Sequence, residues 1–389
     1  MAGFDYVVVG GGMAGHAAAQ GIRLVDGAGS IAILGDEPER PYARPPLSKA
    51  LWRGQEEGSI WLPEVDGTTL RAGVRVSAID RAGHRVELEG GEAIEYRKLL
   101  LATGGTPRRL PGAAEGVIHF RTVADFRRLR ALPAGRRVVV IGGGFIGSEV
   151  SSALSDAGYR VTLVFPEETI GARTFPRDLG LHLNGYYGEH GVEVLPATRV
   201  SGVERRGDGF AVRTGGGELP ADLVVAGLGI APNDALARGA GLDVDDGIVV
   251  DASLRTRDPD VFAAGDVARF WNPALGRLIR VEHEDNANKM GETAGRAMAG
   301  ADVVYGHLPF FYSDLFDLGY EAVGVVDARL ETVADWQEPF RRGVIYYLAD
   351  GRVRGVVTWG AFGKLDAARA LVAEQGPHRA ADLRGRIPA

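Results

Sequence analysis

The sequence predicts an α/β protein with two three-layer domains built on parallel sheets and a small α+β domain at its C-terminus. Three observations lead to this prediction. An apolar strand near the N-terminus meets a glycine-rich turn and an Ala-rich stretch, the same arrangement recurs from Arg136, and the last part of the chain is aromatic and strand-like. The predicted boundaries are 1–113 with 241–308 for a discontinuous first domain, 114–240 for the second and 309–389 for the third.

The first glycine turn lies in "FDYVVVGGGMAGHAAAQGIR", where an apolar strand is followed by Gly10, Gly12 and Gly15. This G-x-G-x-x-G spacing permits a tight turn at the first glycine, close approach of a pyrophosphate at the second, and helix–strand packing at the third. The next strand, in "SIAILGDE", ends beside Asp36, which can bind a ribose hydroxyl. The pattern predicts a Rossmann-like dinucleotide site.

The second glycine turn lies in "RRVVVIGGGFIGSEVSSALSDAGYRVTLVFPEE" and repeats the spacing with Gly142, Gly144 and Gly147. Two such turns in one chain predict two dinucleotides that exchange a hydride. Glu167 and Glu168 follow the second strand of this repeat, and carboxylates repel a 2′-phosphate. We therefore predict that NADH is preferred over NADPH, although Arg173 a few residues on weakens the inference.

Three later stretches fit the same scheme. "YRKLLLATGGTPRRLPG" (96–112) and "ADLVVAGLGIAPN" (221–233) each read as a buried strand, a glycine turn and a proline. "VFAAGDVA" (261–268) places Asp266 just after a short apolar strand, where it would face a cofactor. A helix N-cap is the alternative role for Asp266.

Composition restricts the class of protein further. The chain has 389 residues, 45% hydrophobic and 24% charged, with no apolar run of the roughly eighteen residues that a membrane span needs. A strand begins at the N-terminus without a leader pattern, so we expect a cytoplasmic protein. The net charge of −7 argues against nucleic-acid binding as the main task. The absence of cysteine excludes thiolate metal sites, disulfides and dithiol chemistry by the chain itself.

Taken together, these motifs resemble the flavoprotein reductases of the glutathione-reductase superfamily, in the branch of oxygenase-coupled ferredoxin reductases and apoptosis-inducing factor. The similarity covers nearly the whole chain through both glycine loops, "RPPLSK", "LLATGGTPR", "DLVVAGLGIAPN", "VFAAGDVA" and "VEHEDNA". In the C-terminal half, "FYSDLFDLGYEAVGVVD" and "GVIYYLADGRVRGVVTW" are more similar to apoptosis-inducing factor. The resemblance implies an FAD-binding domain, an NAD-binding domain, and FAD and NADH as cofactors.

The segment "PYARPPLSKALW" (41–52) has two interpretations. Its prolines alone indicate a rigid surface turn. The resemblance implies instead that Arg44 and Lys49 contact FAD and that Lys49 pairs with Glu149 beside flavin N5. It also implies that Phe145 covers the flavin and swings to stack on nicotinamide, whereas packing into the core is the alternative for Phe145.

The resemblance assigns site residues position by position. Lys49, Glu149 and Phe145 would be catalytic. The FAD site would comprise Gly10, Gly12, Ala14, Gly15, Asp36, Arg44, Lys49, Val76, Ala102, Thr103, Gly104, Arg121, Asp266, His283 and Tyr312. The nicotinamide nucleotide site would comprise Gly143, Gly144, Phe145, Ile146, Glu149, Glu167, Arg173, Gly229, Glu282 and Glu321. Capping and a surface location are the alternatives for His283 and Glu321, and Tyr312 replaces the tryptophan that is common in the family.

These residues predict an FAD-dependent NADH oxidoreductase of the ferredoxin reductase type. The expected electron acceptor is a small acidic [2Fe–2S] ferredoxin. The alternatives are a redox sensor similar to apoptosis-inducing factor, in which a long-lived charge-transfer complex forms, and a slow NADH:quinone reductase or NADH oxidase. No metal site, nucleic-acid partner or membrane span is expected, and the chain would be a monomer or a homodimer.

Overall fold

The computed structural model of the chain describes residues 2–389, which form twenty-five strands and eight α-helices. The first fifteen strands are β1 (Ala2–Val9), β2 (Ile31–Leu34), β3 (Thr68–Arg71), β4 (Val76–Asp80), β5 (Arg85–Leu88), β6 (Ala93–Leu101), β7 (Gly105–Pro107), β8 (Ile118–His119), β9 (Arg137–Ile141), β10 (Arg160–Val164), β11 (Val192–Leu195), β12 (Val200–Arg206), β13 (Gly209–Thr214), β14 (Gly217–Ala221) and β15 (Leu223–Ala226). The remaining strands are β16 (Ile230–Pro232), β17 (Ile248–Val249), β18 (Val261–Ala263), β19 (Ala268–Asn272), β20 (Arg277–Arg280), β21 (Phe310–Leu315), β22 (Leu318–Gly324), β23 (Glu331–Glu338), β24 (Arg342–Ala349) and β25 (Arg352–Trp359).

The helices include one after each glycine loop. They are α1 (Met13–Arg23), α2 (Val123–Arg130), α3 (Phe145–Asp156), α4 (Arg177–Glu189), α5 (Ala235–Gly239), α6 (Glu284–Met298), α7 (Leu365–Ala373) and α8 (Ala380–Leu383). Short 3₁₀ turns lie at Pro45–Ser48, Ala50–Arg53, Glu57–Ile60 and Gly265–Val267. Among residues 2–389, no helix is long and apolar enough to cross a membrane.

The first of two compact units contains the first glycine loop. It comprises the chain up to Ala43, then Glu57–Thr106 and Ala231–Pro309. Its main sheet has the order β3-β2-β1-β6-β5-β4, with β18 also paired to β6. Strands β2, β1, β6 and β18 run parallel, and β1 is buried from Tyr6 to Val9. Burial on both faces explains why β1 reads as an unbroken apolar run.

Helices α1 and α6 pack closely in this unit because small residues meet at their interface. A Cβ atom placed on Gly21 would lie 2.1 Å from the carbonyl oxygen of Glu292. A Cβ on Gly295 would lie 2.0 Å from the carbonyl oxygen of Ala18. These backbones can therefore approach only because both positions are glycine. The packing fixes α1, and with it the start of that helix at the first glycine loop.

The second unit comprises Arg44–Glu56, Pro107–Ile230 and Phe310–Ala389. Its parallel sheet has the order β11-β10-β9-β15-β8, and β12-β13-β14 form an antiparallel meander. The chain's last segment forms an antiparallel sheet of order β21-β22-β25-β24-β23, followed by α7 and α8. The short strands β7 and β16 form a two-stranded sheet.

The predicted fold class is confirmed. Each glycine loop connects a parallel strand to a helix, and the C-terminal part is a small α+β sheet structure. Because the two compact units do not coincide with three domains, the three predicted domain boundaries stay a prediction.

Candidate functional site

The first glycine loop is closely packed at two positions and open at the third. Gly10 has φ +125°, and a Cβ there would lie 2.1 Å from the carbonyl oxygen of Ala102. A Cβ on Gly15 would lie 2.1 Å from the carbonyl oxygen of Gly10. By contrast, a Cβ on Gly12, the N-cap residue of α1, meets no atom within 4 Å. The loop is thus rigid, and at Gly12 it leaves room for a phosphate at a helix N-terminus.

Asp266 and Thr103, which were predicted to lie at the FAD site, are positioned by contacts within the first unit. A Cβ on Gly265 would lie 2.8 Å from Cβ of Ala14, so the 3₁₀ turn containing Asp266 lies against the start of α1. Ala264 occupies the N-cap position of that turn, so the alternative of Asp266 as an N-cap is wrong. The Thr103 hydroxyl donates to the carbonyl oxygen of Asn233 at 2.7 Å.

Asp36 lies at the edge of a cavity of about 380 Å³ in this unit. The Asp36 carboxylate is 3.5 Å from the guanidinium of Arg75. The cavity is lined by Asp36, Arg71, Gly73, Val74, Arg75, Leu88, Glu89 and Glu92. Val76 begins β4 and is buried. The acid that follows β2 therefore lines an open cavity with mainly polar and charged walls.

The second glycine loop repeats this arrangement in the second unit. A Cβ on Gly147 would lie 1.7 Å from the carbonyl oxygen of Gly142, which has φ +111°. A Cβ on Gly143 would lie 2.7 Å from the Phe165 ring. Gly144 is the N-cap residue of α3 and again has no atom within 4 Å of a Cβ. Both loops are therefore built for close approach of a ligand at the middle glycine.

The two acids after β10 differ in their surroundings. The carboxylate of Glu168 accepts two hydrogen bonds from the Arg177 guanidinium, and this pairing lowers the pKa of Glu168. Glu167 is 3.8 Å from Arg173, whose side chain is 92% exposed, and Glu167 itself is 35% exposed. Arg177 thus holds Glu168 by hydrogen bonds, whereas Glu167 has only a longer contact with an exposed arginine and stays the candidate for binding a ribose.

Lys49 and Glu149 form a buried ion pair. Lys49 follows the 3₁₀ turn Pro45–Ser48, and Glu149 lies one turn into α3. The Lys49 Nζ donates to Glu149 Oε1 at 2.6 Å, and the side chains are 10% and 4% exposed. The segment is therefore more than a proline-rich surface turn, because it delivers a cation to a buried carboxylate.

Two serines that the sequence did not nominate also contact Glu149. Ser48 Oγ donates to Oε2 at 2.6 Å, and Ser313 Oγ donates to Oε1 at 2.6 Å. They lie inside the motifs "RPPLSK" and "FYSDLF", but a serine in a 3₁₀ turn or in a strand carries no local sign of this role. Only the contacts of the folded unit identify them.

Strand β21 contacts Phe145 and Lys49 as well. Phe311 packs edge-on against Phe145 with ring centroids 5.2 Å apart, and the Lys49 Nζ is 5.2 Å from the Tyr312 ring centroid. Phe145 is 39% exposed, so the alternative that it packs into the core is wrong. A cation at that distance from an aromatic face is attracted by the ring quadrupole.

Tyr187 and Tyr320 lie near Glu149, and their phenol groups are uncharged. Burial, followed by the negative charge of Glu149, raises the pKa of both phenols. Both tyrosines therefore stay neutral at physiological pH. Lys49 is the cation that balances Glu149.

The remaining predicted residues occupy both units. In the second unit, an Arg44 guanidinium nitrogen donates to the carbonyl oxygen of Arg121, Gly229 has φ +77°, and Glu321 accepts from the Gly363 amide at 2.9 Å. The last contact gives this partly exposed acid a backbone partner. In the first unit, Glu282 pairs with Arg280, and His283 is the N-cap residue of α6 but makes no capping hydrogen bond through its side chain.

Similarity to known proteins agrees with this geometry. The profile of the family described as "Pyridine nucleotide-disulphide oxidoreductase" matches residues 4–292. The chain belongs to this family. A second profile, described as "Apoptosis-inducing factor, mitochondrion-associated, C-term", matches residues 294–339.

Individual members are similar over almost the whole chain. The ferredoxin--NAD(+) reductase component of the anthranilate 1,2-dioxygenase system of Burkholderia cepacia is 38% identical, covering 96% of this chain and 95% of its own. Apoptosis-inducing factor 1 of Dictyostelium discoideum is 33% identical, covering 95% and 78%. A chain in the crystal structure of the covalent putidaredoxin reductase–putidaredoxin complex superposes with a TM-score of 0.90, at 33% identity, covering 97% and 94%.

This oxidoreductase depends on FAD and uses NAD(H), and the residues present fit both cofactors. Each glycine loop opens at its middle glycine, where a pyrophosphate would lie. Despite the family's name, the chain has no cysteine, so it reduces no substrate through a cysteine pair of its own. Among residues 2–389, no group of His, Asp and Glu could hold a metal ion.

Exchanging the charge at Glu167 should change the choice of nicotinamide nucleotide. We expect Glu167→Arg to lower the ratio of kcat/KM for NADH over NADPH by about 10- to 100-fold. Such a change corresponds to the roughly 1.5–3 kcal/mol of a charged hydrogen bond. Glu168→Gln is the matched control and should change the ratio much less, because Arg177 already holds that acid. Equal ratios for the parent and Glu167→Arg would refute the assignment.

Proposed function

We propose that this oxidoreductase passes electrons from NADH to a small acidic [2Fe–2S] ferredoxin. The observation that supports this most is the similarity over almost the whole chain to a ferredoxin--NAD(+) reductase component and to a putidaredoxin reductase solved with putidaredoxin. FAD, when bound, accepts two electrons as a hydride and releases them singly, which suits a one-electron acceptor. The cytoplasmic location and the monomeric or dimeric state stay predictions.

Within this proposal, the glycine loops bind the two dinucleotides and Glu167 selects NADH. Lys49 is proposed to donate a hydrogen bond to the flavin near N5. An ammonium has three N–H donors, and Glu149 accepts one of them, so Lys49 can bind a further acceptor. Phe145 is proposed to cover the site where nicotinamide binds. The other residues assigned by resemblance keep their proposed cofactor contacts.

A fixed cation at this position would stabilise negative charge that develops on hydride arrival. Its value depends on preorganisation, because a cation that must reorient loses much of its effect. The buried pair with Glu149 supplies that preorganisation. Tyr312 adds to it by facing the same ammonium.

A second candidate function is an NADH-responsive redox sensor with slow turnover. The match of residues 294–339 to the C-terminal profile of apoptosis-inducing factor supports it. A slow NADH:quinone reductase or NADH oxidase would use the same two cofactors. These candidates share the reduction by NADH and differ in where the electrons go.

One experiment separates the candidates. The purified holoenzyme is reduced with NADH without oxygen in a stopped-flow instrument and is then mixed with a [2Fe–2S] ferredoxin, a quinone or air. We expect rapid reduction by NADH and rapid reoxidation by the ferredoxin. Reduction followed by long persistence with every acceptor would favour the sensor. A folded protein that NADH does not reduce would contradict both candidates.

A further inference from the structure

The Glu149 carboxylate is held by three donors from two parts of the second unit, the segment Arg44–Glu56 and strand β21. Oε1 accepts from Lys49 and Ser313, and Oε2 accepts from Ser48, each at 2.6 Å. Both serines are buried, and so is Glu149. A carboxylate bound at both oxygens cannot rotate about its terminal torsion without breaking a hydrogen bond. The two serines therefore fix the plane of the carboxylate independently of Lys49.

We propose that Ser313, together with Ser48, is a positioning residue for reduction by NADH. This inference rests on the proposed function, because it assigns the two hydroxyls to the Lys49–Glu149 pair. They hold the carboxylate, the carboxylate holds the ammonium, and neither serine is assigned a contact with a reacting atom.

The chemistry of the donors matters as much as their number. A second Lys or Arg at either position would neutralise Glu149 further and compete with Lys49 for it. Serine hydroxyls satisfy the oxygens without adding charge. The neighbouring phenols of Tyr187 and Tyr320 also stay neutral, since burial raises the pKa of each. Of these neighbours, Lys49 carries the positive charge, so the electrostatic attraction of Glu149 acts on Lys49.

The spacing of the contacts explains how β21 can hold α3 in register. Phe311 and Ser313 are two residues apart on the strand, about 6.8 Å, and point to the same face. Their partners Phe145 and Glu149 are four residues apart on the helix, about 6.0 Å, and also share a face. The two spacings match to within about 1 Å. One strand therefore holds both the aromatic residue and the carboxylate.

The test compares Ser313→Ala and Ser48→Ala with Ser151→Ala. Ser151 is the matched control because it is buried on α3 and its hydroxyl has no hydrogen-bond partner among residues 2–389. At saturating NADH, we expect the limiting rate of flavin reduction to fall about 10- to 100-fold in Ser313→Ala. That range is the loss of one hydrogen bond to a charged group. We expect a decrease of the same kind in Ser48→Ala, an unchanged Kd for NADH, and no change of rate in Ser151→Ala.

Urea unfolding of the holoenzyme provides a readout that does not depend on turnover. Ser313→Ala should lower the unfolding midpoint in the parent but not in a Glu149→Ala background, where the hydroxyl has lost its acceptor. Equal losses in both backgrounds would overturn the inference. Parent-like rates of flavin reduction in both Ser313→Ala and Ser48→Ala would overturn it as well.

The two proposals fail in different ways. If NADH does not reduce the parent protein, the proposed function is wrong, and the unfolding cycle then decides alone whether Ser313 holds Glu149. If the parent is reduced normally and both serine variants match it, only the positioning role is wrong.

Discussion

Lys49→Met is expected to slow flavin reduction by NADH more than any other single substitution in the site. The substitution removes the cation that pairs with Glu149 and leaves that carboxylate buried with two neutral donors. Loss of a preorganised charge in a water-poor site costs about 100- to 1,000-fold in rate. Stopped-flow absorbance at saturating NADH measures this directly. Glu149→Gln should slow reduction by NADH more than it weakens FAD binding, because the amide keeps the shape and loses the charge.

The same pair makes a distinctive prediction about stability. Each single variant leaves one buried charge without its counter-charge, so the free energy of unfolding should fall by about 3–5 kcal/mol. The double variant Lys49→Met/Glu149→Gln contains neither charge. We therefore expect it to be more stable than either single variant, while its rate of reduction stays low.

An exposed ion pair would behave differently. It would be worth about 0–1 kcal/mol, and the two substitutions would add independently. Near-parent rates together with additive stabilities would show that the pair has no role at the flavin. The burial of both side chains, 10% and 4% exposed, is the reason to expect the coupled result.

Gly147→Ala is expected to weaken the binding of the nicotinamide nucleotide while FAD stays bound. The added Cβ would lie 1.7 Å from the carbonyl oxygen of Gly142, so the start of α3 must move away from the loop. Overpacking of this kind costs about 1–3 kcal/mol or more, which corresponds to about 5- to 150-fold in Kd. Titration of the oxidised holoenzyme with NAD+, followed by flavin fluorescence, measures the affinity.

Gly185→Ala is the matched control for that substitution. Gly185 lies in α4, and a Cβ there meets no atom within 4 Å. Alanine in a helix interior should keep the nucleotide affinity and raise the free energy of unfolding by about 0.5–1 kcal/mol. A parent-like Kd for NAD+ in Gly147→Ala would contradict the role of the second glycine loop.

Some of the features behind these predictions can be recognised in the sequence alone, and others cannot. The two glycine loops were predicted with the correct strands and helices, because the spacing reports a backbone constraint within six residues. Gly10 and Gly142 require positive φ, and Gly15 and Gly147 require close approach, so no other residue fits. The Lys49–Glu149 pair was implied by resemblance to a family, since no local pattern joins residues so distant in the chain.

Other features of the site could be recognised only from the tertiary structure. The sequence placed Glu167 and Glu168 together, but only the structure distinguishes them, because Arg177 on α4 holds Glu168. The exposure of Phe145 and its contact with Phe311 likewise depend on where β21 lies.

By itself, the sequence determined the two dinucleotide loops, the presence of two acids after β10 and the absence of cysteine chemistry. Each of these depends on residue type at short spacing or on composition. The tertiary structure alone decided that Ser48 and Ser313 hold Glu149, since they reach it across 101 and 164 residues of chain. A serine hydroxyl has no preferred partner until folding brings an acceptor within hydrogen-bond distance and removes the water that would compete for it.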